Sequence, residues 1–452
     1  MADLSALPRE ADAEAGTAKV PVRLLELSEE AARQLDVCVH CGFCLAVCPT
    51  YRELGEEADS PRGRIDIMAA AHTGQVSLDE AEVGQHLDRC LDCRACETAC
   101  PSGVRYHLLL ESAMAQLPSR RPWTASATGE EARSYAQASR LIHLGLGRIL
   151  TSPWLLSTAV RLAHLAGPLT GLLPRGVREL MAGLPTPAQR PARGQLPLVL
   201  PAVGPRRGAV DLFLGCVQDA VLGGDNAAAA RVLAACGYDV HVIRGQTCCG
   251  ALHVHSGARQ ALAALAATNM RTLGQDGRPV VVGAAGCGAV LKEYPELLEG
   301  TPQAEAASRF GPQVFDFSEF LVRVPELPLA HTPRGAPPRV TYHDPCHLAH
   351  AQGVRRQPRD LIAAVPGIEY VELAEADSCC GSAGIYNLVQ PKLAGQVLDR
   401  KLENLRASGA GWVVTANPGC ALQLRGGIAR AGLEMRVLSL AEFLDLAYGG
   451  EA

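Results

Sequence analysis

Two cysteine runs of identical spacing, Cys38-Val-His-Cys41-Gly-Phe-Cys44-Leu-Ala-Val-Cys48-Pro49 and Cys90-Leu-Asp-Cys93-Arg-Ala-Cys96-Glu-Thr-Ala-Cys100-Pro101, limit what this chain can become. Each is a C-x2-C-x2-C-x3-C-P run. Three thiolates two residues apart let one tight loop wrap three corners of a cube, and a distant fourth closes it. In two-cluster [4Fe-4S] domains the fourth Cys of one run ligates the cluster held by the other. The pattern therefore assigns Cys38, Cys41, Cys44 and Cys100 to one cluster and Cys90, Cys93, Cys96 and Cys48 to a second. The proline after each fourth Cys is expected to resist continuation of the preceding helix.

Disulfides and zinc are the competing uses of so many thiols. The N-terminal stretch Met1-Ala-Asp-Leu-Ser-Ala-Leu-Pro lacks the apolar core of a secretion signal, so reduced thiols are expected. Tandem four-Cys runs ending in Cys-Pro are more cluster-like than zinc-like.

A chain of 452 residues, 48% apolar, can bury several cores and is long enough for roughly three domains. Its net charge of −5 gives no reason to expect nucleic acid as a partner. No run of about 18 uncharged apolar residues is present, so no membrane span is expected, and the cytoplasm is the expected location. The stretch 132–210 is unusual in carrying ten arginines against a single acidic residue, Glu179. Such a basic, apolar, helical segment could lie at the inner face of a membrane as a peripheral contact or pack on acidic neighbours in its own chain.

The organisation reads as five parts. Residues 1–24 are acidic, Ala-rich and without apolar periodicity, the signature of a disordered tail. Residues 25–118 hold both cysteine runs among helical patterns: Ser28 as an N-cap, Pro61 to Ala71, Leu78 to Leu87, and Tyr106 to Leu117. This part should be α-helical. Residues 119–208 form the basic connector and a Pro- and Arg-rich linker. Residues 209–330 and 331–452 then repeat one another.

The repeat is read from three marks. Copy one has a buried-strand run ending at Cys216, then Cys248-Cys249-Gly250, then a second strand run leading to Cys287; copy two has Cys346, Cys379-Cys380-Gly381 and Cys420. The gaps between marks are 31 and 36 residues in one copy and 32 and 38 in the other. A fixed order at nearly fixed intervals means internal duplication. Ala-rich helical stretches lie between, so each copy should be a βαβ-type unit around a mainly parallel sheet. The fold class expected is thus α/β: an all-α two-cluster domain followed by two duplicated α/β Cys-Cys-Gly units. Open α/β sheets place their sites at the carboxyl ends of strands, which would gather each copy's thiols in one crevice.

Four thiols per copy, Cys216, Cys248, Cys249 and Cys287, then Cys346, Cys379, Cys380 and Cys420, are enough for one further iron-sulfur cluster or one zinc. Buried structural thiols are the alternative. His343 and His347 flank Cys346 and could act as ligands or proton carriers, while His253 and His255 carry a weaker signal. Arg89, Arg94, Arg62 and Arg64 beside the runs could offset cluster charge, but solvated surface arginines are the commoner arrangement.

With Pro61-Arg62-Gly63-Arg64, His86-Leu-Asp-Arg-Cys90 and Cys100-Pro-Ser-Gly-Val-Arg-Tyr106 added, the paired runs resemble the iron-sulfur subunit of bacterial glycolate oxidase. The duplicated half resembles the module shared with the B subunit of heterodisulfide reductase and the C subunit of anaerobic glycerol-3-phosphate dehydrogenase. The resemblance implies a role for the chain in carrying electrons from flavin-bearing partner subunits, which oxidise glycolate to glyoxylate and D-lactate more weakly, to a membrane acceptor such as quinone. It also implies that no catalytic residue for the substrate lies on this chain, and no Gly-x-Gly-x-x-Gly opening a helix is present to bind a dinucleotide. Heterodisulfide-reductase modules end in C-x2-C, whereas the last position here is Val290 in one copy and Gln423 in the other. Thiol-disulfide chemistry and glycerol-3-phosphate oxidation remain the alternative readings.

Overall fold

The computed structural model describes residues 22–117, 153–165, 181–185, 189–255, 259–337 and 339–450. Most of the expected tail and much of the basic stretch 132–210 lie outside them. Among the described residues no helix is long and apolar enough to cross a membrane.

The N-terminal domain is helical, with helices Glu29–Val37, Pro49–Leu54, Pro61–Thr73, Ala81–Asp88, Ala95–Ala99 and Tyr106–Gln116. Local chemistry starts them. The Ser28 hydroxyl accepts from the Ala31 amide, and the Ser60 hydroxyl accepts from the Gly63 amide with Pro61 at the first helical position. Pro101 follows a helix that stops at Ala99, as expected, but Pro49 opens a helix, the one helical position where its missing N–H costs nothing. Leu25, Met68, Leu87, Leu109 and Leu110 form the core of this domain.

Two sheets make the rest. Strands β1 (Val199–Leu200), β2 (Gly208–Phe213), β3 (Tyr238–His241), β4 (Val280–Val282) and β5 (Val314–Asp316) assemble in the order β1-β3-β2-β4-β5. Only β1 runs antiparallel. Strands β6 (Arg339–Tyr342), β7 (Glu369–Val371), β8 (Trp412–Thr415) and β9 (Arg436–Ser439) form a wholly parallel sheet in the order β7-β6-β8-β9. Omitting β1, the two orders coincide strand for strand. The chain is therefore a mixed α/β protein whose duplicated half carries mainly parallel sheets. One apolar core runs through both, joining Val210 and Leu212 of the first sheet to Tyr342 and Trp412 of the second and to Phe443. Helices Gly223–Ala235 and Leu440–Ala447 pack together there, with Arg231 paired to Asp445.

Candidate metal centres

The two cysteine loops have the same backbone. His40 and Gly42 in the first and Asp92 and Arg94 in the second all take positive φ, at matching positions between the thiols. Those left-handed turns curl each loop so that its first three Cys face inward. One cavity is lined by Cys38, Cys41, Cys44 and Cys100, with Cys96 also reaching it; a second is lined by Cys48, Cys90, Cys93 and Cys96. Each run's last Cys thus faces the cavity of the other run.

Burial opposes ionisation of Cys44, Cys90, Cys93 and Cys96. It pushes Cys90 up to about 11 and holds Cys93 and Cys96 well above the usual thiol range. Thiols packed this way become thiolates when a metal supplies the positive charge, and the all-sulfur donor sets fit an iron-sulfur cluster. Amides and hydroxyls point at the sulfurs: the Asp92 N–H lies 3.4 Å from Cys90 Sγ, the Val104 N–H 3.5 Å from Cys100 Sγ, and the Tyr106 hydroxyl 3.8 Å from Cys90 Sγ.

The flanking arginines are not the solvated surface groups expected. Arg64 is 1% exposed beside the second cavity, donating to His86 O at 2.7 Å and Thr50 Oγ1 at 3.1 Å, with Asp59 as counter-ion. Arg94 is 3% exposed and pairs with Glu111 and Glu293. Arg89 is half-buried on Asp59 at 2.7 Å. Arg62 is the most exposed of the four, bound to Glu57 and to His40 O. Tertiary packing, not local sequence, decides these placements, because each carboxylate partner comes from another element.

In the duplicated half each copy gathers its thiols beyond the carboxyl ends of the sheet. The strands stop short of the cysteines: Cys216 precedes helix Val217–Val221, and Cys287 and Cys420 sit in the first turns of helices Ala285–Leu297 and Pro418–Arg430. Cys216 Sγ stands 3.7 Å from Cys248 Sγ and donates to it, which pulls the Cys248 pKa below the usual range. Gly250 and Gly381 explain the Cys-Cys-Gly mark. Both have positive φ, and a Cβ would lie 2.4 Å from Leu262 Cδ1 in one copy and 2.5 Å from Ala394 O in the other. Their amides point at Cys248 Sγ and Cys379 Sγ, each at 3.4 Å. The copies then diverge. His343, fully buried, lies with Cys380 and Cys420, one ring nitrogen within 4.8 Å of both sulfurs, where copy one has Phe213. Cys236, the one remaining cysteine, packs as an apolar group in the shared core.

The N-terminal domain docks on both copies. Cys93 shares an apolar cluster with Cys379, and Cys346 packs against it. Tyr386 donates to Arg89 O at 2.9 Å, and Arg400 pairs with Glu53 at 3.1 Å. Toward copy one, Arg105 and His107 meet Glu296. The loop contacts Ala285 N to Ala416 O and Gln352 Nε2 to Ala285 O bring the two thiol crevices' rims together. His255, a weak candidate from sequence, is brought against Asp92 and His347. Asp92 carried no signal of its own beyond lying inside a metal-type loop, and Arg94 was legible only as a residue that could offset cluster charge.

Comparison with known proteins matches residues 34–104 to a 4Fe-4S dicluster domain, and residues 210–292 and 340–425 to a cysteine-rich domain. A probable glycolate oxidase iron-sulfur subunit of Bacillus subtilis (strain 168) is 38% identical over 91% of this chain and 94% of its own length. The glycolate oxidase iron-sulfur subunit of Escherichia coli (strain K12) is 34% identical over 87% of this chain and 91% of its own. Lactate utilization protein A of Geobacillus thermodenitrificans (strain NG80-2) is 32% identical over 52% of this chain and 98% of its own.

Proposed function

The chain belongs to the family of glycolate oxidase iron-sulfur subunits, and on that premise we propose that it is the electron-transfer subunit of an oxidoreductase complex acting on glycolate and, more weakly, D-lactate. Substrate oxidation to glyoxylate falls to flavin-bearing partner subunits, and the electrons pass to a membrane acceptor such as quinone from a cytoplasmic subunit held peripherally at the membrane. The observation that carries this reading is the pair of thiol-lined cavities with exchanged fourth cysteines.

In this reading Cys38, Cys41, Cys44 and Cys100 hold one [4Fe-4S] cluster and Cys90, Cys93, Cys96 and Cys48 the other. When bound, such clusters supply one-electron transfer at potentials set by ligand hydrogen bonds, burial and local charge. The protein's own contribution is to exclude water and place charge. Arg64 lies buried close enough to Cys90 to favour its thiolate against the penalty of burial, and Tyr106 and the loop amides donate to sulfur. At the other cavity Cys41 is exposed and the apolar side chains of Val39 and Phe43 stand 66% exposed beside it. This rim is where we place the partner subunit.

The Cys-Cys-Gly crevices are proposed to hold an additional iron-sulfur cluster or zinc. A five-thiolate disulfide-cleaving centre is disfavoured, because the two positions it needs are occupied by Val290, fully buried in the module core, and by Gln423, whose carbonyl oxygen accepts from Asn387 at 2.9 Å. Anaerobic purification with iron and sulfide counts and low-temperature EPR tests the assignment. About eight irons per chain fit two cubanes, and appreciably more would implicate the duplicated half. Colourless, EPR-silent protein after reconstitution overturns it. Deletion of the gene should abolish growth on glycolate, and unaffected growth would remove glycolate as the substrate.

A further inference from the structure

Where the N-terminal domain meets both modules, three side chains converge that the thiol centres do not use. Asp92 comes from the second cysteine loop, His255 from the end of helix Ala251–His255 in copy one, and His347 from the residue after Cys346 in copy two. One ligand atom from each lies within 4.8 Å of the other two. The rings of His255 and His347 meet edge to face, 5.1 Å between centroids.

The polar atoms here are buried and poorly satisfied. Asp92 is 8% exposed. Asp92 Oδ1 and His347 Nε2 are out of contact with solvent and make no hydrogen bond. Asp92 Oδ2 and His255 Nδ1 stand 2.6 Å apart as an ion pair, which leaves the other two atoms unmatched. Native structures rarely leave two facing buried polar atoms unmatched, and a bound ion is one of the standard explanations. An Asp92–His255 ion pair alone would leave His347 Nε2 without a partner.

Charge points the same way. Arg94 bridges Glu111 and Glu293 alongside Asp92. Three acidic side chains face one guanidinium here, and burial beside Asp92 pushes Glu111 up to about 7, so a bound cation would relieve the crowding of acidic groups. Two imidazoles and one carboxylate form a borderline donor set, suited to zinc or a similar divalent first-row metal and distinct from the all-sulfur sets nearby. Cys346 Sγ, 3.6 Å from His347 Nδ1, can take that nitrogen's proton in a weak hydrogen bond and turn the Nε2 lone pair toward the site.

We propose that Asp92, His255 and His347 bind one divalent transition-metal ion of the zinc type, stapling the N-terminal domain to both Cys-Cys-Gly modules. The site is separate from the iron-sulfur assignment, and either can fail without the other. The test uses the full chain purified anaerobically, exchanged with zinc or cobalt(II), and read by metal content and spectroscopy. One zinc per chain should be retained with N/O ligation by X-ray absorption, and the cobalt form should show d–d bands without a thiolate-to-cobalt charge-transfer band from this ion. His255→Ala, His347→Ala and Asp92→Asn should each weaken zinc binding at least about a hundredfold, leaving iron and sulfide counts unchanged. Should a variant lose iron as well, His255→Gln decides, since it keeps the bulk and polarity of the site without the imidazole ligand. Absence of retained zinc, sulfur-only ligation, or undiminished zinc in His255→Gln would overturn the proposal.

Discussion

The two four-cysteine loops share their spacing and their left-handed turns, yet one faces solvent and the other is sealed. In the first, Val39 and Phe43 project outward, Cys41 is exposed, and Gly42 takes the second left-handed position. In the second, Leu91, Asp92, Cys93 and Arg94 are all buried, and Arg94 takes the position that glycine holds in its counterpart. A left-handed conformation costs a non-glycine residue about 1–2 kcal/mol. Here it is offset by the ion pairs that Arg94 makes with Glu111 and Glu293. The cysteine spacing is common to both loops, and their neighbours decide whether a loop faces solvent or its own chain.

The largest effect should come from removing the sealed loop's anchor. Arg94→Ala leaves Glu111 and Glu293 buried near Asp92 without their cation, and loss of one partner from such a group costs about 3–5 kcal/mol. At the matching site Gly42→Ala meets only the turn strain, with φ +84 and Arg62 Nη1 at 3.0 Å from the new Cβ, for a cost of about 1–2 kcal/mol. Denaturant unfolding of anaerobic, cluster-loaded protein reads both. Equal costs would break the comparison.

A smaller effect, dependent on pH, should come from the helix that follows the sealed loop. His107 lies between Glu97 at 2.7 Å and Glu296 of copy one at 3.3 Å. Burial alone would lower its pKa, but the two carboxylates outweigh that and raise it to about 9, while His107 and Arg105 hold Glu296 down to about 2. A histidine whose folded-state value lies above 6.5 stabilises fully below pH 6.5 and loses that contribution as pH rises through 9. The Glu296 contribution is present above about pH 4.5 and fades as pH falls through 2. Raising pH from 6.5 to 10 should then cost on the order of 3 kcal/mol, and His107→Gln should flatten that slope.

Much of this arrangement was legible in the chain. The reach of Cys48 and Cys100 into the cavity lined by the other run and the duplication marked by Cys-Cys-Gly depend on spacing, which is local. The common strand order of the two sheets follows from that duplication. What escaped depends on contacts distant in sequence. Arg94 and Glu293 are 199 residues apart, and nothing in the flanking residues distinguishes a buried arginine from a surface one. His255 was weak for the same reason, since Asp92 and His347 each come from another unit. The antiparallel β1, two residues long, is too short to carry a period.

The exposed loop should also be the chemically vulnerable one. Under a stoichiometric oxidant the cluster beside Cys41 should be lost first, and EPR should show one cubane signal decaying ahead of the other; simultaneous loss would mean that burial of the second loop does not protect it. The smallest effect on stability is expected at the rim itself. Phe43→Ser removes an exposed side chain that touches no core, so unfolding should shift by no more than about 0.5 kcal/mol. Association with the proposed flavin-bearing partner should weaken, because an exposed apolar group contributes most to an interface where it excludes water. Leu91→Ser, at the matching position between the first two cysteines of the sealed loop relative to Val39, should do the reverse, lowering stability through its buried site while sparing partner binding. If Phe43→Ser leaves association and electron transfer untouched, the outward loop is not the docking face, and the contrast between the loops becomes one of stability alone.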